Sequence, residues 1–223
     1  MFDRIAPKYD LLNHLLSFGQ DLSWRRRAAL QLDASADLKV IDLATGTGDM
    51  LISLARERPN IAEMVGLDLS ENMLAVCRAK LRRYGLEDRV RLLRGDASSV
   101  PFADGTFDAA TMAFGIRNTA DVSDVLREMY RILKPGGTAV ILEFSLPACP
   151  VVKWLYLRYL RLVVPFVGRL VSGDRHAYGY LNESIEAFYP PAEFCGLMQQ
   201  AGFREISVVP LTHGVATIYR GVK

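Results

Sequence analysis

The chain has few cysteines and no long apolar run. These two shortages argue against a disulfide-rich protein, a zinc protein and a membrane-spanning protein. Its 223 residues include only Cys77, Cys149 and Cys195, which are odd in number and widely spaced. Such a set forms neither a disulfide framework nor a zinc site, so we expect a reducing compartment and no metal. No uninterrupted apolar run approaches the ~20 residues that cross a bilayer, so we expect no spanning helix.

An excess of one charge is also lacking. The formal net charge is +2, from 27 basic and 25 acidic residues, and this balance does not favour nucleic acid as a partner. Residues 1–4 lack the basic and apolar regions of a signal peptide, so we expect a cytoplasmic protein. Half of the residues are hydrophobic, which is enough for the core of one domain, 1–223.

What the chain does have is a strand that runs into a glycine turn, over residues 40–50 (VIDLATGTGDM). Lys39–Leu43 predicts a buried strand, and a helix is predicted to start near Asp49. Gly46 and Gly48 have no Cβ, so the backbone can turn sharply and a ligand can lie against it. Amides at the start of the helix favour acceptor groups. This pattern predicts a nucleotide-type cofactor loop at the carboxyl end of a parallel strand.

The residues around this turn favour S-adenosylmethionine over a dinucleotide. A dinucleotide loop needs a third glycine where this chain has Leu51, and the Asp49 carboxylate would repel a pyrophosphate. That carboxylate suits a cationic sulfonium with an amino acid tail. Asp68 follows Gly48 by 20 residues at the end of a second strand, where an acid accepts ribose hydroxyls. A dehydrogenase is therefore disfavoured; the plainer alternative is a structural turn with a surface aspartate.

Strand and helix patterns alternate from Lys39 onward, which predicts an α/β, Rossmann-like, mostly parallel sheet with helices on both faces. The predicted strands are Lys39–Leu43, Met64–Leu67, Val90–Arg94, Phe107–Ala113 and Thr138–Phe144. The predicted helices are Met50–Arg58, Glu71–Leu81 and Val122–Leu133. Ile206–Leu211 and Val215–Tyr219 predict an antiparallel hairpin at one sheet edge. The domain divides into a helical cap (1–35), a cofactor-binding core (36–145), a helical substrate-side insertion (146–190) and a C-terminal helix and hairpin (191–223).

Two apolar helical segments flank this core in the sequence. Phe2–Leu32 is predicted as one helical cap, and its polar residues predict mainly a solvated face: Lys8, Asp10, Asn13, His14 and Arg25–Arg27. The alternative places Tyr9 and some of these over the active site. In Val151–Tyr180 the basic residues share one half of the helix wheel, opposite leucine and valine: Lys153, Arg158, Arg161 and Arg169. Pro165 is expected to end or kink this helix, which packs on the sheet edge or forms an apolar wall that touches a membrane surface.

Polar residues also follow the third and fourth strands. Asp96 and Ala97 are placed to bind an adenine amino group and ring nitrogen; alternatively, Asp96 caps a turn. Arg117 and Asn118 follow the fourth strand, where an open sheet binds its substrate. Because no salt-bridge partner of Arg117 is evident in the sequence, we expect these two side chains to face substrate rather than a surface loop.

These motifs together resemble the C-methyltransferases of menaquinone and ubiquinone biosynthesis, over nearly the whole chain. The shared segments are residues 2–10 (FDRIAPKYD), 42–49 (DLATGTGD), 113–118 (AFGIRN), 133–137 (LKPGG), 142–145 (LEFS), 180–185 (YLNESI), 201–203 (AGF) and 211–214 (LTHG). The resemblance implies a seven-stranded class I fold and C-methylation of a polyprenylated quinol, with demethylmenaquinol favoured. The alternatives are 2-methoxy-6-polyprenyl-1,4-benzoquinol, another small apolar molecule such as a sterol, and a cofactor-binding scaffold of a quinone-biosynthesis complex.

The resemblance also implies the site residues. The expected cofactor contacts are Asp42, Ala44, Gly46, Thr47, Gly48, Asp49, Asp68, Leu69, Met73, Gly95, Asp96, Ala97 and Ala113, the last replacing a serine found in many relatives. The expected catalytic residues are Arg117, Asn118, Tyr9 and Tyr180. Expected partners are the quinol and a peripheral membrane surface, without nucleic acid, because Arg117-Asn118-Thr119 does not match the Asp/Asn-Pro-Pro-aromatic run of amino-group methyltransferases. The sequence allows a homodimer but has no feature that specifies one.

Overall fold

A computed structural model describes residues 10–34, 37–166 and 175–223, with the backbone alone for 175–180. Its strands are β1 (Leu38–Leu43), β2 (Ile61–Asp68), β3 (Val90–Arg94), β4 (Phe107–Ala113), β5 (Leu133–Phe144), β6 (Arg204–Leu211) and β7 (Ala216–Val222). They form one sheet in the order β3-β2-β1-β4-β5-β7-β6. The first five strands pair in parallel, and β7 pairs antiparallel with both β5 and β6. The predicted fold class and edge hairpin are confirmed.

Helices cover both faces of this sheet. They are α1 (Gln20–Ala29), α2 (Asp49–Glu57), α3 (Glu71–Arg83), α4 (Val122–Ile132), α5 (Pro150–Arg158), α6 (Arg175–Ala187) and α7 (Pro191–Gln200). One buried cluster joins α1, α2 and α3 to one face, and a second joins α4 and α7 to the other. Ser70 caps α3, as its side chain accepts from the Met73 amide. Since β1 lies between β2 and β4, the order of the strands reverses there, which opens a crevice at their carboxyl ends.

The strand bounds differ from the predicted ones by three residues or more at the start of β2, at the start of β5 and at the end of β7, which runs to Val222 instead of Tyr219. β2 begins at Ile61, three residues before the predicted Met64. β5 begins at Leu133, so residues 134–137, predicted as a turn, belong to the strand. The end of the chain explains this second difference, because Gly136 N donates to Lys223 O (3.0 Å) and Lys223 N donates to Gly137 O (2.9 Å). Local glycine and proline signals cannot reveal this long-range pairing.

The cap is two helices where one was predicted. Residues 10–16 are helical, a turn follows, and α1 starts at Gln20. Phe18 and Gly19 have positive φ values of 53° and 74°, which a continuous helix does not allow. The part of the predicted cap before Asp10, which includes Tyr9, lies outside the described residues.

The basic helix after the sheet is interrupted before its proline. α5 ends at Arg158 and continues into a π-helical turn, Tyr159–Val163. Pro165 has no N–H to donate to the preceding turn, and its ring crowds the carbonyl four residues earlier, so the helix widens there. Of the leucines and valines in 151–166, only Leu160 and Val164 are buried. Among the helices described, none has the length and apolarity needed to cross a membrane.

Candidate functional site

A cavity of about 670 Å³ opens at the carboxyl ends of β1, β2 and β4. All but one of the thirteen predicted cofactor residues line it: Asp42, Ala44, Gly46, Thr47, Asp49, Asp68, Leu69, Met73, Gly95, Asp96, Ala97 and Ala113. The exception is Gly48, whose missing side chain lets the turn pack against α3. A Cβ at Gly48 would lie 2.6 Å from Cys77 Sγ on α3, and its φ is +89°. Only glycine therefore lets α2 start this close to α3.

We expect Gly48→Ala to destabilise the fold by about 2–4 kcal/mol, from the positive φ together with the clash. Gly46→Ala is the matched control, because its φ is also positive at +56° but nothing lies within 4 Å of its Cβ. It should cost about 1 kcal/mol. Denaturant unfolding measures both, and in a Cys77→Ala background the cost of Gly48→Ala should fall to that of Gly46→Ala. Equal costs in the wild-type background would contradict the role given to Cys77.

Asp42 provides a buried carboxyl at the floor of the cavity. Thr45 and Thr111 each donate a hydroxyl hydrogen bond of 2.6 Å to it. Burial raises the pKa of the Asp42 carboxyl to about 6, and the two hydroxyls and the charge of Arg25 oppose that rise only in part. The ionised form is therefore poorly satisfied by the protein alone, which favours binding of a positive group beside it.

This raised pKa predicts how stability depends on pH. Asp42 holds its proton more tightly in the folded chain, so its contribution to stability is complete below about pH 4 and is lost as pH rises through about 6. Asp42→Asn should remove this loss and flatten the dependence of Tm on pH between about 4 and 8. Thermal unfolding across that range is the measurement, with the exposed Asp104→Asn as control. Parallel curves for wild type and Asp42→Asn would refute the assignment.

Asp68 joins the turn to the next helix. Its carboxylate accepts from Gly46 N and from Ser70 N, each at 2.8 Å. The end of β2 thereby fixes the glycine turn and the start of α3 together. Asp68 lines the cavity, so the proposed ribose contact and these backbone contacts belong to the same side chain.

Asp96 caps a turn, which is one of its two predicted interpretations, and it also lines the cavity. Its Oδ1 accepts from the amide and the hydroxyl of Ser98, each at 2.8 Å, so it caps a turn. The turn also places Asp96 and Ala97 in the cavity wall. A contact with adenine stays a prediction.

The cap contacts the cofactor loop through an ion cluster that the sequence did not reveal. Thr47 Oγ1 donates to Asp10 Oδ1, and Lys80 Nζ bridges Asp10 (2.6 Å) and Asp49. Burial lowers the pKa of Lys80, but the two carboxylates outweigh it and raise that pKa. The carboxylate of Asp49, predicted to meet a cationic ligand, thus already has an ammonium partner. Lys80 is 70 residues from Asp10, so no local signal could have identified it.

A second part of the cap is also polar and turned inward. Asp21 is buried and accepts from Arg25 (2.9 Å) and Ser17 (2.7 Å), and it contacts His14 Nδ1 at 2.9 Å. The prediction that these polar residues form a solvated face is wrong for Asp10, His14 and Arg25, and correct for the exposed Arg26 and Arg27. The i,i+4 spacing of Asp21 and Arg25 was a usable signal. Ligand atoms of His14, Asp21 and Asp49 lie within 4.8 Å of one another, but Arg25 and Lys80 already neutralise the two carboxylates.

The turn after β4 holds the two predicted catalytic residues. Phe114 adopts a φ of +58°, rare for an aromatic residue. Its carbonyl accepts from Arg117 Nη1 (2.8 Å) and from Asn118 Nδ2 (3.4 Å). Asn118 lines the cavity, and its Oδ1 is buried without a hydrogen-bond partner among the described residues. The turn therefore presents a buried acceptor at the cavity.

The side chain of Arg117 is buried and, unlike that of Asn118, does not line the cavity. Its Nη1 forms a 2.6 Å ion pair with Glu143 at the end of β5, so the expectation that it lacks such a partner is wrong. The sequence offered one signal for this partner, because Glu143 is the single charged residue in the apolar stretch 139–144. Of the other predicted catalytic residues, Tyr9 is outside the described residues, as is the side chain of Tyr180.

The whole chain, residues 1–223, matches the model of the ubiE/COQ5 methyltransferase family. The chain belongs to that family. A demethylmenaquinone methyltransferase from Thermus thermophilus is 49% identical over 99% of both chains. A ubiquinone/menaquinone biosynthesis C-methyltransferase from Syntrophotalea carbinolica is 48% identical over 100% of this chain and 92% of its own. Like other ubiE/COQ5 proteins, this chain is a methyltransferase enzyme.

Solved structures at lower identity share the fold with this ubiE/COQ5 methyltransferase. An S-adenosylmethionine-dependent methyltransferase from Thermotoga maritima superposes with a TM-score of 0.70 at 23% identity, covering 100% of this chain and 97% of the other. The [4+2]-cyclase SpnF superposes with a TM-score of 0.72 at 18% identity, covering 100% and 94%. These similarities support the class I fold alone.

The cavity of this ubiE/COQ5 methyltransferase fits S-adenosylmethionine by its charge. Two arginines, Arg25 and Arg94, line it together with six aspartates: Asp42, Asp49, Asp68, Asp96, Asp121 and Asp124. An acidic wall attracts a sulfonium and an ammonium and repels a pyrophosphate. Its volume lies within the usual range of roughly 300–1,000 Å³ for small-molecule sites.

Proposed function

We propose that this chain transfers a methyl group from S-adenosylmethionine to a ring carbon of a polyprenylated quinol, with demethylmenaquinol as the preferred acceptor. The observation that carries the proposal is an acidic cavity beside the Phe114–Asn118 turn, in a chain of the ubiE/COQ5 family. The preference for the naphthoquinol follows from the relative that is 49% identical, which is called a demethylmenaquinone methyltransferase.

Each group of residues has a role in this reaction. When bound, S-adenosylmethionine supplies an electrophilic methyl group, whose bond to sulfur breaks, leaving the electron pair on sulfur, as the bond to the ring carbon forms. Asp42, Asp68 and Asp96 bind it. Asn118 Oδ1 accepts from an acceptor hydroxyl, and Arg117 favours the phenolate, whose proton passes to water because arginine stays protonated. The ring proton leaves afterwards to solvent and the phenolate oxygen takes one proton back, so the net products are the methylated quinol, the thioether and one proton.

The chain must also accommodate the apolar tail of the acceptor. Leu12 of the cap packs with Leu160 and Val164 after α5, and the Tyr159 hydroxyl donates to Leu16 O (2.6 Å). The same two segments also carry exposed apolar side chains: Leu15, Phe18, Trp154, Leu155 and Leu162. We place the apolar tail along this contact between the cap and the segment after α5, which we call the seam. The far end of the tail would lie at a membrane surface, because the apolar face of an amphipathic segment can contact both the tail and the lipid.

The acceptor assignment is tested with one enzyme preparation and labelled S-adenosylmethionine. Demethylmenaquinol should be methylated with a higher kcat/KM than 2-methoxy-6-polyprenyl-1,4-benzoquinol. The reverse order would replace the naphthoquinol by the benzoquinol. Absence of any turnover on either, with S-adenosylmethionine bound, would favour the scaffold.

Tail length tests the seam. A demethylmenaquinol with several prenyl units should have a lower KM than one with a single unit, since each buried CH₂ contributes about 0.8 kcal/mol. Trp154→Ser should reduce this difference, because Trp154 is 56% exposed on α5, which leads into the seam. The exposed Tyr84→Ser at the C-cap of α3 is the control. Equal efficiency with short and long tails would remove the seam from the substrate path.

A further inference from the structure

Glu143 is a buried carboxylate that the roles described so far leave unexplained. It is the penultimate residue of β5 and is 0% exposed. Burying a carboxylate is costly unless charge and hydrogen bonds compensate it. In the part of the chain that the structure describes, its donors are Arg117 Nη1 (2.6 Å), Arg117 N (3.3 Å) and Phe144 N (2.8 Å). Two of the three belong to Arg117.

The guanidinium of Arg117 is also buried and held by several contacts. Its side chain is 5% exposed, and Nη1 divides its contacts between Glu143 and the Phe114 carbonyl. The guanidinium carbon lies 5.1 Å from the centre of the Phe144 ring, which itself lies 4.5 Å from the Phe114 ring. The guanidinium therefore has one orientation, in which its buried Nε is left without a partner among the residues described.

Two tyrosine side chains interact electrostatically with Glu143. They are Tyr156 on α5 and Tyr219 on β7. Burial raises the pKa of both phenols, so both stay neutral near pH 7. The pair is thus a neutral unit, and removal of either member would leave a buried charge without compensation.

We propose that Glu143 is a positioning residue for methyl transfer: it fixes the guanidinium of Arg117 and offsets its charge where the acceptor hydroxyl binds. This inference rests on the proposed function. A bare guanidinium would stabilise the phenolate strongly but would withdraw electron density from the ring carbon that must attack. A paired guanidinium donates hydrogen bonds in a fixed direction and leaves the phenolate more reactive.

The test uses 4-nitro-1-naphthol, a bicyclic phenol whose anion is coloured, with S-adenosylhomocysteine present. Absorbance titration gives the pKa of the protein-bound naphthol without any methylation. In Glu143→Gln the guanidinium charge is no longer offset, so the pKa of the bound naphthol should fall by about one unit, a tenfold shift of its ionisation. Glu128→Gln is the matched control, because Glu128 is also held by an arginine, Arg131, at 2.7 Å, and lies outside the cavity lining.

An unchanged pKa of the naphthol in Glu143→Gln, or an equal shift in Glu128→Gln, would overturn the proposal. Wild-type protein that leaves the spectrum of the naphthol unaltered would remove the acceptor site, and the proposal with it. A shift in Glu143→Gln, combined with wild-type protein that methylates neither quinol, would support the role of Glu143 in the ion pair and reject the proposed function.

Glu143→Asp keeps the test decisive if the glutamine variant does not fold. Aspartate retains the charge but is one methylene shorter, so it loses the short contact with Nη1. We expect the pKa of the bound naphthol to stay near that of wild type while kcat for the quinol falls about tenfold and KM changes little. A merely structural role would leave kcat per folded molecule unchanged, and that result would contradict the inference.

Discussion

Replacing Asp68 with alanine is expected to weaken S-adenosylmethionine binding on the order of 100-fold, or about 2.7 kcal/mol. Two losses combine in this change. The amides of Gly46 and Ser70 lose a charged acceptor at 2.8 Å, which loosens both the glycine turn and the start of α3. The proposed contact with the ribose is lost as well, and hydrogen bonds to a charged group contribute roughly 1.5–3 kcal/mol. Isothermal titration calorimetry measures the affinity.

Asp96→Ala is the informative comparison for Asp68→Ala. It also removes a carboxylate from the cavity wall, but the bonds lost within the protein are confined to Ser98. Its effect on affinity should be about tenfold. Asp68→Asn should lie between the two, since an amide oxygen still accepts from one backbone N–H. Wild-type affinity in Asp68→Ala would refute the assignment of Asp68 to the cofactor.

Arg117→Ala is expected to lower kcat about 10³-fold while the affinity for S-adenosylmethionine stays within about twofold. The guanidinium is the proposed stabiliser of the phenolate, and it is absent from the cavity lining that binds the cofactor. The same change leaves the buried Glu143 without its ion-pair partner, so the free energy of unfolding should fall by about 3–5 kcal/mol. Turnover must therefore be measured at a temperature where the variant is folded, as judged by circular dichroism.

Arg131→Ala separates loss of stability from loss of catalysis. Arg131 lies in the last turn of α4, pairs with Glu128 and Asp104, and is absent from the cavity lining. This control should lower stability and leave kcat per folded molecule unchanged. Arg117→Lys should recover much of the stability but little of the rate, because an ammonium cannot reproduce the fork between Glu143 and the Phe114 carbonyl. Retention of wild-type kcat in Arg117→Ala would remove Arg117 from the mechanism.

The cofactor side of the site was predictable because its signals are local. The strand before Gly46, the helix after Gly48 and the acid at Asp68 lie within one β-α-β unit, where strand and turn preferences act over a few residues. All but Gly48 of the predicted cofactor residues line the cavity, and Gly48 supports the same turn through its contact with α3.

The ion pairs Arg117–Glu143 and Asp10–Lys80 could not be matched from local patterns, because each joins residues that only the folded sheet brings together. Arg117 and Glu143 belong to neighbouring strand ends 26 residues apart, and Asp10 meets Lys80 across 70 residues. Sequence reasoning treated the cap and the turn after β4 by themselves, so it assigned Asp10 and Arg25 to solvent and left Arg117 without a partner. Charges at the ends of different strands can pair beside the cavity although no local pattern signals them.

The reversal of strand order at β1 separates the residues proposed for the two substrates. Most of the proposed cofactor residues follow β1, β2 and β3, whereas Asn118, Arg117 and Glu143, proposed for the acceptor side, lie at the ends of β4 and β5. Under the proposed function, we therefore expect mutations beside β4 and β5 to alter which acceptor is methylated while the affinity for the methyl donor is kept.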